Sequence, residues 1–148
     1  VNDGMGSFVA DATIKQLVLA GKAPKECKIV IMGMTFKENC PDIRNSKVDD
    51  IIKRLNEYDI TPIVVDPWAN PKEAEKEYGI ILTEMTNVSD ADCLILAVSH
   101  DEFVKLTWEQ IGKMYKDSVP IKARVLFDVT GIKKLKEARA QGYRYWRL

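Results

Sequence analysis

Short apolar runs alternate with amphipathic stretches along most of this 148-residue chain. The runs are continuous in apolar residues, which is typical of strands covered on both faces of a sheet, and turn-forming residues bound them. On this pattern, strands are predicted at residues 27–33, 61–66, 92–98, 124–128 and 143–146. Residues 80–82 are a further, shorter strand candidate.

The stretches between the runs carry helix patterns with start and end signals. Residues 4–19 contain no proline and precede Gly21, which predicts one long helix with a glycine stop. In the next helix, at about 47–58, the apolar residues between Val48 and Leu55 share one face. Further helices are predicted at 71–78, 107–116 and 132–140, the first after an Asn-Pro start signal and the second from a capping box.

Strands that alternate with helices predict βαβ units and a parallel twisted sheet. The predicted fold class is α/β, a Rossmann-like three-layer domain with a mostly parallel sheet, preceded by one long N-terminal helix. That helix has a broad apolar surface, which predicts packing against a surface outside this chain. Its apolar stripe comprises Met5, Phe8, Val9 and Ala12, with Leu17 and Val18 beyond.

Length and charge narrow the classes of function. The 148 residues suit one ordinary domain, and the lack of an initial methionine indicates a piece of a longer protein. Lysine and arginine together equal aspartate and glutamate at 22 each, so no overall field favours nucleic acid or an anionic membrane as partner. No apolar run approaches the roughly 20 residues of a membrane span, and no signal peptide is present, so a cytoplasmic location is expected.

Cysteine and histidine usage adds two expectations. Three cysteines and one histidine argue against disulfides and structural zinc, and no metal site is expected. Cys40 lies near cationic residues, but a nucleophilic role is disfavoured because no histidine is close in sequence and Pro41 makes it a turn residue. His100 follows a strand end and is interpreted as a turn or capping residue.

The loop after Gly33 holds most of the candidate chemistry. Lys37 and Arg44 lie beyond the carboxyl end of a strand, where ligands bind in open α/β sheets, and close to a helix N-terminus. Lysine offers a compact charge and arginine a planar fork for phosphate or carboxylate. On spacing alone, the favoured alternative is a solvated loop with weak surface ion pairs.

The same loop lacks the G-x-G-x-x-G pattern, because Gly33 is followed by Met, Thr, Phe, Lys and Glu. Dinucleotide binding in the ordinary Rossmann manner is therefore not expected. Asp66 ends the second strand, where such folds hold a ribose. Without the glycines, it is interpreted as a hydrogen-bond acceptor that ends the strand before Pro67.

The loop motif is Phe36-Lys37, four residues, then Asp42-x-Arg44-x-Ser46. It resembles the third, UDP-binding domain of the UDP-glucose/GDP-mannose dehydrogenase family. Residues 36–45 look most like the branch that oxidises UDP-N-acetylhexosamines for bacterial surface polysaccharides. The resemblance covers nearly the whole chain, including the segments at 66–67 and 97–103.

The resemblance implies a role for each motif residue. Phe36 and Lys37 would contact the nucleotide sugar, and Arg44 would reach NAD held mainly by an N-terminal domain outside this chain. Asp42 would orient Arg44 or the loop, and Ser46 would support the loop as an N-cap. No catalytic residue is expected in this fragment, because the family's catalytic cysteine lies upstream. An arginine that some members place after residues 127–128 is replaced by 129–131, Val-Thr-Gly, so that contact is not carried over.

The resemblance also implies the organisation and the activity. Residues 1–21 would be the end of the central dimerisation helix region, and residues 22–148 the UDP-sugar-binding domain of a homodimer. The intact enzyme would be an NAD-dependent UDP-sugar 6-dehydrogenase, acting on UDP-glucose or a UDP-N-acetylhexosamine and oxidising the C6 alcohol to a carboxylate. The fragment alone would be inactive. The alternatives are a stand-alone, non-enzymatic nucleotide-binding module and a module whose first helix drives dimerisation.

Overall fold

Five parallel strands form the centre of the part of the chain that the structure describes, residues 4–147 of a computed structural model. Their order in the sheet is β2-β1-β3-β4-β5. The strands are β1 (Ile29–Met32), β2 (Ile63–Val65), β3 (Cys93–Leu96), β4 (Val125–Asp128) and β5 (Arg144–Arg147). The predicted α/β class is confirmed, with a sheet that is parallel at each of its pairings.

Within residues 4–147, six α-helices connect or precede these strands. They are α1 (Gly4–Leu19), α2 (Val48–Glu57), α3 (Pro71–Tyr78), α4 (Asp101–Val104), α5 (Trp108–Met114) and α6 (Leu135–Gln141). Single 3-10 turns lie at Pro24–Glu26, Met85–Asn87 and Ile121–Ala123. The short α4 was not predicted from the sequence. No helix in this described part is long and apolar enough to cross a lipid bilayer.

Alternate residues of the strands serve two separate cores. Ile29 and Ile31 of β1 belong to the core that also includes apolar residues of α1 and α2. Val30 and Met32 belong to the core that includes Phe103 of α4 and residues of α5. Because side chains alternate along a strand, one buried strand supplies both faces, and the three-layer prediction is confirmed.

Helix ends follow the local signals in the sequence. Asn70 accepts hydrogen bonds from the backbone N–H groups of the first turn of α3, and Gly79 ends that helix with φ of 67°. The predicted capping box joins Thr107 and Gln110 at the start of α5. The last helix begins later than predicted, at Leu135, because residues 131–133 donate their backbone N–H groups to the buried Asp128 carboxylate.

The strand predicted at residues 80–82 is wrong. That segment is irregular backbone, and Ile81 is 78% exposed. The next residue, Thr83, donates one backbone hydrogen bond of 2.9 Å to the Val64 carbonyl, too little to continue the sheet. A short apolar run supplied the signal, but a run of this length does not distinguish a strand from an exposed connection.

The first helix lies against α2 rather than standing apart. Val9 and Leu17 are fully buried, whereas Phe8 and Val18 are 51% and 55% exposed, so part of the apolar surface is uncovered in this chain and its packing against an outside surface stays a prediction. Gly6 permits close approach of the helices, because a Cβ there would lie 2.5 Å from the Cβ of Asp50. The division of the chain at residue 21 stays a prediction.

The order of the strands determines where a crevice can form. From β1 the chain proceeds to β2 on one side, while β3 lies on the other side of β1. Connections therefore diverge between β1 and β3, and the space beyond their carboxyl ends is left open. Ligands of doubly wound sheets bind at such a switch point.

Candidate functional site

A cavity of about 350 Å³ opens at this switch point. The segments following β1, β3 and β4 line it, together with the start of α2 and one residue of α1. Its walls include Met5, Thr35, Phe36, Lys47, Val98 and Thr130. Most of the wall is apolar, with a smaller polar part, as in sites for small organic ligands.

Gly33 turns the chain out of β1 into the loop that borders the cavity. Its φ of 106° lies in the region that only glycine adopts readily. A Cβ at this position would also lie 2.6 Å from the Cβ of Val98, which follows β3. Both the backbone conformation and the closeness of the two segments therefore require glycine here.

Asp66, at the end of β2, holds the start of the loop. Its Oδ2 accepts backbone hydrogen bonds from Met34 at 2.7 Å and Thr35 at 3.1 Å. Its Oδ1 accepts from the backbone of Trp68 at 2.8 Å and Ala69 at 3.1 Å. This geometry agrees with the interpretation of Asp66 as a hydrogen-bond acceptor at the strand end. The sequence did not predict that the same carboxylate also bonds to the loop after β1.

The carboxylate of Asp66 is buried, with 5% of the residue exposed, yet it remains in its charged form. Burial acts to raise its pKa, but hydrogen bonds from His100, Met34 and Trp68 outweigh burial and lower the pKa below the ordinary 3.8. A carboxylate that accepts several N–H groups is held ionised in this way. It is a fixed negative charge beneath the loop.

Acidification is expected to destabilise the chain through Asp66. Its pKa is lower folded than unfolded, so its contribution to the free energy of unfolding is complete above about pH 4 and is lost as pH falls through the folded pKa. Urea denaturation from about pH 6 down to about pH 2 measures this loss. The comparison with Asp66→Asn isolates it from other carboxylates, and equal slopes for parent and variant would contradict the expectation.

His100 lies at the N-cap position of α4, but its ring does not cap that helix. The ring is fully buried, and its Nδ1 accepts a 2.9 Å hydrogen bond from the backbone N–H of Asn39 in the loop. Its Nε2 lies 3.0 Å from Asp66 Oδ2. The expected capping position is therefore confirmed, while the side chain bonds to the loop and to Asp66 instead of to the helix. The available signal was that Asp66 and His100 each follow a strand at the same edge of a parallel sheet.

Phe36 and Lys37 lie at the outer part of the loop. Phe36 is 58% exposed and lines the cavity, and its backbone N–H donates to the Asp42 carbonyl at 2.7 Å. Lys37 is exposed, and its carbonyl accepts a hydrogen bond from Thr35 Oγ1 at 3.0 Å. Within residues 4–147, no carboxylate forms an ion pair with the Lys37 ammonium group. The weak surface pair suggested by spacing alone is thus absent at Lys37.

Asp42 and Arg44 form a two-pronged ion pair. Asp42 Oδ1 accepts from Arg44 Nε at 3.0 Å, and Oδ2 accepts from an Arg44 terminal nitrogen at 3.1 Å. This hydrogen bonding lowers the pKa of Asp42 and raises that of Arg44. The Arg44 side chain remains 83% exposed, so the pair aims the guanidinium while leaving its outer edge available.

Phe36 and Arg44 face different openings. Phe36 lines the switch-point cavity, whereas Asp42 and Arg44 line a second groove of about 650 Å³ between the loop and α3. Glu73 and Lys76 of α3 lie along this groove. The loop therefore separates an apolar cavity from a charged groove, and it presents one predicted ligand contact to each.

Ser46 supports the entry into α2. Its Oγ accepts a 3.2 Å hydrogen bond from the backbone N–H of Val48, while the formal cap position falls on Lys47, whose side chain makes no cap. Ser46 is buried, and it makes the capping hydrogen bond from the position before the formal N-cap residue. Cys40 is a half-buried free thiol, and Nδ1 of the single histidine, His100, is committed to the backbone of Asn39.

The loop does not fit a dinucleotide bound in the ordinary Rossmann manner. In that mode, backbone N–H groups after the first strand bind the pyrophosphate. Here those of Met34 and Thr35 are occupied by the Asp66 carboxylate. A second anion at this place would meet the charge of Asp66 and find both of these donors occupied.

Comparisons with known proteins agree with the loop motif. The sequence profile of the UDP-glucose/GDP-mannose dehydrogenase family, UDP binding domain, matches residues 30–134. UDP-N-acetyl-D-glucosamine 6-dehydrogenase of Pseudomonas aeruginosa is 41% identical over 116 residues, and the Salmonella typhi protein of the same name is 37% identical over 129. The alignments cover 78% and 87% of this chain, but 28% and 29% of those proteins.

A solved structure supports the fold. NDP-N-acetyl-D-galactosaminuronic acid dehydrogenase from Methanosarcina mazei Go1 matches with a TM-score of 0.83 and 20% sequence identity, over 99% of this chain and 29% of that one. This likeness concerns the fold, while the profile and the two bacterial relatives concern the family. The chain therefore belongs to the UDP-glucose/GDP-mannose dehydrogenase family, of which it is the UDP binding domain.

Proposed function

We propose that this chain is the nucleotide-sugar-binding part of an NAD-dependent UDP-sugar 6-dehydrogenase. The observation that carries the proposal is the Phe36-Lys37 pair: Phe36 lines the switch-point cavity, and the exposed Lys37 next to it forms no ion pair with a carboxylate among residues 4–147. An unpaired lysine at that edge suits a phosphate or a sugar oxygen. The Phe36 ring offers an apolar surface beside it.

The residues have distinct roles in this proposal. Phe36 and Lys37 bind the nucleotide sugar in the switch-point cavity. Arg44, aimed by Asp42 over the second groove, contacts NAD bound by a preceding domain. Ser46 maintains the start of α2, which forms one wall of the cavity. The separation of the two openings supports one ligand on each side of the loop.

The chain contributes binding and orientation to the reaction. When bound to the intact enzyme, NAD supplies the hydride acceptor for oxidation of the C6 alcohol to the carboxylate. The isolated chain is expected to bind without turnover. The names of the two bacterial relatives favour a UDP-N-acetylhexosamine over UDP-glucose as the substrate, in the service of surface polysaccharide synthesis. We also infer a homodimeric enzyme in the cytoplasm, where three free thiols are the ordinary state.

Loss of UDP binding on substitution of Lys37 is the expected result that tests the proposal. Because a hydrogen bond to a charged group contributes roughly 1.5–3 kcal/mol, Lys37→Ala should weaken UDP binding by about 10- to 100-fold. Calorimetric titration of the chain with UDP measures this change. Lys113→Ala is the matched control, since Lys113 is an exposed lysine on α5, away from the loop. Equal affinities for parent and Lys37→Ala would remove Lys37 from the site.

A further inference from the structure

His100 uses both ring nitrogens for defined hydrogen bonds. The Asn39 backbone N–H can only donate, so Nδ1, 2.9 Å away, must be the unprotonated acceptor. The single ring proton of a neutral imidazole then lies on Nε2, where it faces Asp66 Oδ2 at 3.0 Å and Thr35 Oγ1 at 3.1 Å. Thr35 Oγ1 donates its own proton to the Lys37 carbonyl, so it is free to accept.

Two aromatic rings also pack against the imidazole. The Trp68 ring stacks on it at a centroid distance of 6.1 Å, and the Phe103 ring lies at 5.5 Å. Trp68 is itself held by a 2.9 Å hydrogen bond from its indole N–H to Glu102. With no solvent exposure, two aromatic contacts and two committed nitrogens, the imidazole has one orientation.

These contacts reach the loop on both sides of the ligand-facing pair. Before Phe36, the Asp66 carboxylate holds the Met34 and Thr35 N–H groups, and His100 donates to that carboxylate. After Lys37, His100 accepts the N–H of Asn39 directly. One buried ring, 61 residues away in sequence from Asn39, thereby connects the two ends of the short segment that carries the proposed substrate contacts.

We propose that His100, as the neutral tautomer protonated on Nε2, is a positioning residue for substrate binding that holds the Phe36-Lys37 segment in its binding conformation. The identity of the ligand in this proposal rests on the proposed function. The role of His100 in holding the loop does not depend on it. Asn39 turns the chain with φ of 52°, a left-handed conformation that asparagine tolerates, and its side chain is bonded to Asp101, so His100 supplies the partner of its backbone N–H.

The chemistry of the position explains the choice of residue. The side chain at position 100 must accept a hydrogen bond at one end and donate one at the other. It must do so in a buried site while remaining uncharged. Lysine cannot accept, and an ionised carboxylate cannot donate to Asp66. A neutral imidazole does both across its width, and it also packs against the rings of Trp68 and Phe103.

The first test reads the tautomer directly. The chain contains one histidine, so a long-range nitrogen–proton NMR spectrum of the 148-residue chain labelled with nitrogen-15 reports on His100 without further assignment. We expect the signals of a bare Nδ1 and a protonated Nε2. A protonated Nδ1, or fast exchange between tautomers, would overturn the proposal, and this measurement requires no variant.

The second test compares amide exchange at Asn39 in two variants. The order of their exchange rates differs between a hydrogen-bonding role and a packing role of His100. His100→Phe keeps a ring between Trp68 and Phe103 but neither accepts nor donates, and amide exchange at Asn39 should become about tenfold faster or more. His100→Asn loses ring packing but places Oδ1 where Nδ1 lies, so Asn39 exchange should be slower than in His100→Phe. A residue that acts only by packing would give the reverse order, which would contradict the proposal.

The control is Tyr115→Phe, which removes a buried 2.6 Å hydrogen bond to the Val125 carbonyl far from the loop. It should lower the free energy of unfolding of the whole chain. The ratio of the amide exchange rate of Asn39 to the rates of the β-strand amides should stay unchanged.

UDP titration then separates the two proposals. A parent that does not bind UDP, with slow Asn39 exchange and the expected tautomer, overturns the proposed function and keeps the loop assignment. Binding that stays at the parent affinity in His100→Phe overturns the positioning role.

Discussion

Replacing Gly33 with alanine is expected to destabilise the chain by about 4 kcal/mol, the sum of backbone strain and steric overlap. The native φ of 106° disfavours any residue with a Cβ. That Cβ would also lie 2.6 Å from the Val98 Cβ and 2.9 Å from the Val98 backbone nitrogen. Because the second of these atoms is backbone between β3 and α4, relief requires the strands to move apart.

The measurement is urea denaturation of the parent and the variant, monitored by fluorescence or circular dichroism. Since domains of this size have a free energy of unfolding of about 5–15 kcal/mol, the variant should lose a large part of it. Gly79→Ala is the matched control, because Gly79 has φ of 67° and nothing within 4 Å of an added Cβ. It should lose only the backbone term, about 1–2 kcal/mol, and equal losses at both positions would contradict the role of the Val98 contact.

Asp66→Asn is expected to cost about 3–5 kcal/mol, the range for removing one partner from a buried charged network. The change conserves shape but replaces one acceptor oxygen with an NH₂ group. That group would face either the N–H groups of Met34 and Thr35 or those of Trp68 and Ala69. Donors then oppose donors in a buried site. Denaturation should show both the loss of stability and the loss of the acid-dependent contribution of this residue.

Asp92→Asn is the control for a local effect on the loop. Asp92 is also buried and charged, but it accepts from Lys22 and from the Lys28 backbone at the opposite end of the sheet. Both variants should be destabilised, while only Asp66→Asn should accelerate amide exchange at Met34 and Thr35 under native conditions. Equal protection of those two amides in both variants would show that Asp66 does not hold the loop.

The elements that the sequence predicted best are those whose signals are local. The face of α2, the Asn70 cap, the capping box at Thr107 and the continuous apolar strands each depend on residues a few positions apart. The pair of Asp42 and Arg44 is likewise two residues apart. By contrast, a short apolar run does not show whether its side chains are covered, which is why the strand predicted at residues 80–82 is wrong.

The hydrogen bonds that Asp66 and His100 make to the loop could not be predicted from local sequence signals. Asp66 and His100 are 34 residues apart, and each is an ordinary polar residue after a strand when taken alone. Their meeting depends on the strand order, which places β1 between β2 and β3 and brings both side chains beneath one loop. The motif therefore predicts which residues face a ligand, while the groups that hold them became apparent only in the three-dimensional arrangement.

The Asp66 carboxylate also limits where a diphosphate can lie at this edge of the sheet. It occupies the backbone N–H groups of Met34 and Thr35, which directly follow β1. Its charge therefore disfavours any pyrophosphate at that place, whether it belongs to a dinucleotide or to a nucleotide sugar. The diphosphate of the proposed UDP-sugar is then expected farther out along the loop, on the side of Lys37.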